Sequence, residues 1–254
     1  MIAIGLGTGR SGTASLAKLL NAQRDAHVFH EMNPSCVRFS GTPRPILNAI
    51  DEFQGVLRGE PTCMLTVDLT RRPSIASYDA LAKKQRITLI GDVAFYYLSY
   101  VEAAAAHNAG VRFLCTRRDI GETVRSWIAK SRVNRWPSKY VADRLSCLIT
   151  RQPFYRSANY WMAHDGSRWE PDPVWDKCFP KFEAASMPDA IRKYCEFYYK
   201  EAERLASVLP DRFRFVETNR LSEAAYQDQA LEFVGVARED RVLEPTHINR
   251  TAPS

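Results

Sequence analysis

The chain carries no run of basic residues longer than a pair, no Cys-x-x-Cys, and no apolar stretch near the ~18 residues of a membrane span. Each absence removes a class. A net charge of +6 without a basic tail does not read as a nucleic-acid arm, because the positive residues stand in short pairs such as Arg71-Arg72, Lys83-Lys84 and Arg117-Arg118. A polyanionic ligand held inside the protein accounts for that charge, so no nucleic-acid partner is expected. The six cysteines, at 36, 63, 115, 147, 178 and 195, have no metal-binding spacing to one another or to histidine, and no metal is expected. They read as reduced thiols of a cytoplasmic protein. No signal-peptide pattern precedes the first apolar run, and no transmembrane segment is expected.

What is present is the material of a globular enzyme. Hydrophobic residues make up 45% and charged residues 25% of the 254 positions, enough for one large α/β domain spanning 1–254. Short apolar runs predict strands over Ile2–Leu6, Cys63–Val67, Ile87–Ile90, Arg112–Cys115 and Phe213–Val216, with a strand-like segment at Ala26–Phe29. Helical periodicity fills the gaps over Gly12–Leu20, Pro45–Leu57, Tyr97–Asn108, Ile120–Lys130, Pro188–Val208 and Glu223–Phe233. Alternation of this kind predicts a three-layer α/β/α fold with a central parallel sheet. Residues 131–186 break the rhythm. They hold Trp136, Phe154, Tyr155, Tyr160, Trp161, Trp169 and Trp175, and read either as an inserted aromatic lid over an acceptor or as a peripheral helical layer.

The most informative segment runs from Gly5 to Ser15, GLGTGRSGTAS, between the first strand and the first helix. Such a loop turns backbone N–H groups toward an anion at a helix N-terminus, where the helix dipole favours negative charge. Arg10 adds a fixed charge with a fork of donors for phosphate or sulfate oxygens, and Ser11, Thr13 and Ser15 add hydroxyls. Gly7-Thr-Gly-Arg-Ser-Gly12 also satisfies a dinucleotide fingerprint, but no acidic residue ends a second strand at the required place. An NTPase loop fits Gly7 and Gly12 and then reads Thr13-Ala14, without the lysine and the magnesium-binding hydroxyl. A small-molecule or nucleotide kinase of P-loop type is therefore the alternative, and a non-catalytic nucleotide-binding module ranks below it.

Arg10-Ser-Gly-Thr-Ala-Ser-Leu16 resembles the 5′-phosphosulfate loop of sulfotransferases that use 3′-phosphoadenosine 5′-phosphosulfate. A second segment, Phe113-Leu-Cys-Thr-Arg-Arg-Asp-Ile-Gly-Glu-Thr-Val-Arg-Ser-Trp127, resembles that family's 3′-phosphate site, with Ile120 where a proline is usual. The resemblance implies a P-loop-like nucleotide fold and metal-independent in-line transfer of a sulfuryl group to a hydroxyl or amine. It assigns the nucleotide to Gly9, Arg10, Ser11, Gly12, Thr13, Ala14, Ser15, Arg118 and Ser126, with Arg250 of the tail as a further ligand. Arg10 also carries charge stabilisation. The base candidates are Glu31, then His30, then Asp92, and Asp68 is a further carboxylate that ends an expected strand. The acceptor expected is a small molecule: a carbohydrate, a lipid head group or a phenol. Homo-oligomer formation stays open.

Overall fold

A computed structural model of the chain describes residues 1–34, 41–61, 63–133, 141, 145, 148, 149, 178–180, 182 and 184–243. Five strands form one parallel sheet: β1 (Ile2–Leu6), β2 (Ala26–His30), β3 (Leu89–Val93), β4 (Val111–Arg117) and β5 (Phe213–Glu217). Their order is β2-β3-β1-β4-β5, so β1 lies at the centre and every strand ends at the same edge. The helices described over their whole length are α1 (Thr13–Asn21), α2 (Arg44–Leu57), α3 (Arg72–Ala82), α4 (Val101–His107), α5 (Ile120–Val133), α6 (Met187–Val208) and α7 (Ala224–Phe233).

The strands are apolar on both faces because both are covered. Ile2, Ile4, Leu6, Phe29, Ile90, Phe113 and Phe213 pack on one side with Ile50 and Phe53 of α2 and Tyr194 and Tyr198 of α6. Ala3, Val28, Leu89, Val93, Leu114 and Val216 pack on the other with Leu16, Leu19 and Leu20 of α1 and Leu231 of α7. The alternating strand period thus feeds two separate cores, and the α/β/α expectation holds.

Two expectations are corrected. Cys63–Val67 forms no strand: Leu65 is 86% exposed, and the Leu65 and Thr66 amides donate to the Glu52 carboxylate instead of a sheet partner. The Tyr97–Asn108 helix divides into a 3₁₀ segment, Phe95–Tyr100, followed by α4. Within the 3₁₀ segment Tyr96 and Tyr97 both donate to the Asp92 carboxylate. Helix α3 has no counterpart in the sequence reading. Only Ser74 and Leu81 of its residues are buried, so it lacks an apolar stripe, and Pro73 is tolerated because it lies in the first turn.

His27 on β2 is 1% exposed, with Nε2 beside Ser77 Oγ at 3.1 Å and Nδ1 without a hydrogen-bond partner. Burial, and then the charge of Lys84, pushes its imidazole from 6.5 down to about 4. The unfolded chain therefore binds this proton first, and stability falls as pH drops from about 6.5 toward 4. At ~1.4 kcal/mol per unit, the cost approaches about 2–3 kcal/mol by pH 4.5. Urea unfolding at pH 7 and 4.5 checks this: His27→Leu should flatten that part of the acid limb.

Candidate functional site

Parallel strands place all their carboxyl ends on one edge, where ligands of such sheets gather. β1 runs out into the glycine loop, and Gly9, Arg10 and Gly12 all take positive φ, at 70°, 62° and 100°. Gly9 lies against the Trp127 ring of α5, whose Cζ2 would stand 2.9 Å from an added Cβ. Gly12 caps α1 in the left-handed region with no side-chain cap bond, and the first intrahelical donor is Leu16 to the Gly12 carbonyl at 3.0 Å. The amides of Thr13, Ala14 and Ser15 therefore open the helix without an acceptor from the preceding turn, and no acidic residue neutralises them.

Two guanidiniums converge on this end. Arg10 Nε donates to Ser126 Oγ at 3.0 Å, and Arg118 Nη1 donates to the Arg10 carbonyl at 3.2 Å. Burial, and then the charge of Arg118, presses the Arg10 guanidinium below its ordinary value. Among the described residues no carboxylate forms an ion pair with Arg10. Arg118 also pairs through Nε with Glu122 at 2.9 Å, across one turn of α5. Asp119 starts that helix by accepting from the Glu122 amide at 2.8 Å, so Ile120 fills the first helical position where proline is usual without disturbing the turn.

The hydroxyls divide between two duties. Ser11 Oγ lies 2.9 Å from Thr116 Oγ1, which donates to the Leu6 carbonyl at 3.1 Å. Ser11, fully buried, thus braces the loop from within. Thr13 Oγ1 lies 3.2 Å from His30 Nε2 at the end of β2, which brings His30 to the first turn of α1. Ser15 is buried beneath that turn.

Glu31 follows at φ 54°, a conformation that strains a non-glycine residue. Its backbone is held on several sides: its amide donates to the Val93 carbonyl at 3.1 Å, and Arg71 reaches both its carbonyl and its carboxylate, the latter at 3.5 Å. Asp92 lies below this turn. It is 0% exposed and accepts from the Met32 amide at 3.1 Å, Tyr96 at 3.0 Å and Tyr97 at 2.7 Å. Burial pushes its carboxyl above the usual range, and the Tyr97, Met32 and Tyr96 donors pull it back. Enclosed in this way, Asp92 is an anchor for the Glu31 turn rather than an accessible base. Asp68 ends no strand and accepts from the Thr70 amide and hydroxyl at 3.0 and 2.6 Å. Arg250 and the aromatic residues of 131–186 named above lie outside the described residues.

By sequence, the chain matches no protein-family model and no curated protein. Among solved structures, a sulfotransferase from Alicyclobacillus acidocaldarius is similar at a TM-score of 0.48 and 12% identity. That alignment covers 98% of this chain and 86% of the other.

Residues absent from the sequence reading complete the site. Thr218, just after β5, donates to the Ser11 carbonyl and packs its methyl 2.5 Å from where a Gly12 Cβ would stand. Tyr198 and Tyr199 of α6 reach the two loops through their hydroxyls. None of these carries a motif: a threonine after a strand and tyrosines on a helical face read as ordinary packing. Toward α2, a cavity of about 480 Å³ is lined by Thr42, Arg44, Asn48, Glu52, Leu65 and Thr66 among others. One of its lining residues, Thr66, accepts through its carbonyl from the side-chain amide of Asn33. Among the described residues, no helix is long and apolar enough to cross a membrane, and no cluster of three His, Cys, Asp or Glu side chains is arranged to hold a metal.

Proposed function

We propose that the protein is a sulfotransferase that takes 3′-phosphoadenosine 5′-phosphosulfate as co-substrate and transfers its sulfuryl group to a hydroxyl or amine of a small molecule. The observation that carries this reading is the pairing of Arg10 and Arg118 at the uncapped start of α1, with no carboxylate to match Arg10 among the described residues. Two adjacent cations at a dipole-positive helix end form a site with an unmet demand for a multiply charged anion.

The residues fit such a ligand. The amides that open α1, together with Gly9, Arg10 and Gly12, would hold the 5′-phosphate, with the Thr13 hydroxyl beside them. Arg118 and Ser126 would hold the 3′-phosphate, and Arg250 is proposed as a further contact. The co-substrate supplies an activated sulfuryl group whose charge spreads over its oxygens during an in-line displacement. Arg10 stabilises the charge that gathers on the leaving phosphate, a fixed donor already in place before reaction. Proton acceptance falls to Glu31 or His30, both at the carboxyl end of β2. His30 lies beside Thr13 of the turn that opens α1, and the strained, braced backbone of Glu31 holds its carboxylate next to Arg71. Residues 131–186 are proposed to close over the acceptor.

Calorimetric titration with adenosine 3′,5′-bisphosphate in the absence of magnesium tests the proposal. Micromolar binding is expected, with Arg118→Ala losing about ten-fold or more, the worth of one charge-assisted phosphate contact. Magnesium-dependent binding of ATP, with no response to the bisphosphate, would overturn it in favour of a kinase.

A further inference from the structure

Helix α6 carries two adjacent tyrosines whose hydroxyls leave the helix toward different loops. Tyr198 is 2% exposed, yet its hydroxyl accepts from the Gly7 amide at 2.9 Å and donates to the Phe95 carbonyl at 3.1 Å. Gly7 is the residue at which β1 becomes the glycine loop. No side chain fits there, because a Cβ would run into Thr116 Oγ1 and lie 2.5 Å from Ser11 Oγ. Tyr199 accepts from the Arg118 amide at 3.2 Å, at the residue that opens the basic turn after β4. Neighbouring side chains on a helix diverge by ~100°, so one rigid element addresses both loops at once. Burial keeps both phenols protonated, pushing each above its ordinary value, and so preserves the hydroxyl proton that Tyr198 donates.

We infer that Tyr198 and Tyr199 are positioning residues for the two anion-binding loops, Tyr198 fixing the backbone of the glycine loop and Tyr199 that of the Arg118 turn. The inference rests on the reading of those loops as the 5′- and 3′-phosphate sites. A backbone N–H withdrawn from water requires an acceptor; the Gly7 N–H is buried and the Arg118 N–H partly so, and at each the acceptor is a phenol from a distant helix. The spacing of the two loops is therefore set by one length of helix as well as by the sheet. The Arg118 contact to the Arg10 carbonyl links the loops again on the ligand side.

The test uses the full chain with Tyr198→Phe and Tyr199→Phe, which keep the rings in the core, and two ligands that each carry one phosphate. Tyr199→Phe is expected to weaken adenosine 3′-monophosphate at least five-fold more than adenosine 5′-monophosphate, and Tyr198→Phe to do the reverse. Amide hydrogen exchange gives a second reading that needs no ligand. Exchange at Gly7 should accelerate only in Tyr198→Phe, and at Arg118 only in Tyr199→Phe. Equal losses for both nucleotides, or unchanged affinities, would overturn the inference while wild-type binding of adenosine 3′,5′-bisphosphate left the functional proposal standing. Failure of the wild type to bind that bisphosphate would overturn both.

Discussion

Arg10→Ala is expected to weaken binding of adenosine 3′,5′-bisphosphate by about 100-fold, the largest loss of any single side chain at the site. The size follows from what the guanidinium does. It is half-buried, faces Arg118, and has no ion-pair partner among the described residues, so little of its charge is spent inside the protein. A charge-assisted bond of this kind is worth about 1.5–3 kcal/mol, and burial places Arg10 toward the upper end. Removing it also frees Ser126 Oγ, which Arg10 Nε contacts at 3.0 Å, so part of a second contact goes with it. Arg10→Lys should recover only part of the loss, because an ammonium is a point donor that cannot serve Ser126 and a phosphate oxygen with one fixed plane. Ser126→Ala should cost several-fold at most. Titration of the three variants under one salt condition checks the ranking, and equal affinity of Arg10→Ala and wild type would remove Arg10 from the site.

Gly91→Ala is expected to damage the fold itself. Gly91 lies in β3, paired with Ala3 of β1 on one side and Val28 of β2 on the other. A Cβ there would overlap the backbone carbonyl of Ala3, which has no rotamer by which to move aside. Relief requires β1 and β3 to part, with loss of ladder bonds at the centre of the sheet. A cost of about 3 kcal/mol or more is expected, at the upper end of overpacking effects. For a chain of this size that is a fall in melting temperature of roughly 10 °C. Gly110→Ala is the control, since the nearest atom to its Cβ would be Asn108 Oδ1 at 3.2 Å in an exposed turn. Thermal melts of both variants decide the matter, and a Gly91→Ala melt within 2–3 °C of wild type would contradict the argument.

The segments legible from sequence were those where one local pattern carried the structure. Apolar runs that stop at glycine or at a basic pair marked β1 and β4, and the helices behind them kept their apolar stripe, so the glycine loop and the Arg118 turn stand where expected. Cys63–Val67 has the composition of a strand, but composition does not say whether a neighbour is free to pair, and Glu52 takes its amides instead. Helix α3 was silent because it buries so little. Within the site, charge was legible and bracing was not. Arg10 and Arg118 announce themselves, whereas Thr116, Tyr198, Tyr199 and Thr218 act through hydroxyls contributed from distant strands and helices. Asp92 illustrates the same limit: its position at a strand end was readable, its enclosure by Tyr96 and Tyr97 was not.

The bond from Thr218 to the Ser11 carbonyl joins residues 207 positions apart, and Tyr198 reaches back to Gly7 across 191. A nascent chain that has emerged through β4 already contains the whole glycine loop, yet lacks the helix and the threonine that hold that loop in shape. Contacts of such separation close late, after the entropy of the long intervening loop has been met. On the proposed function, anion affinity is expected only once β5 has docked at the sheet's edge and brought Thr218 to Ser11. A chain truncated before Phe213 should keep every residue of Gly5–Ser15 and bind nucleotide poorly, so ligand binding reports completion of the fold rather than the presence of its signature sequence.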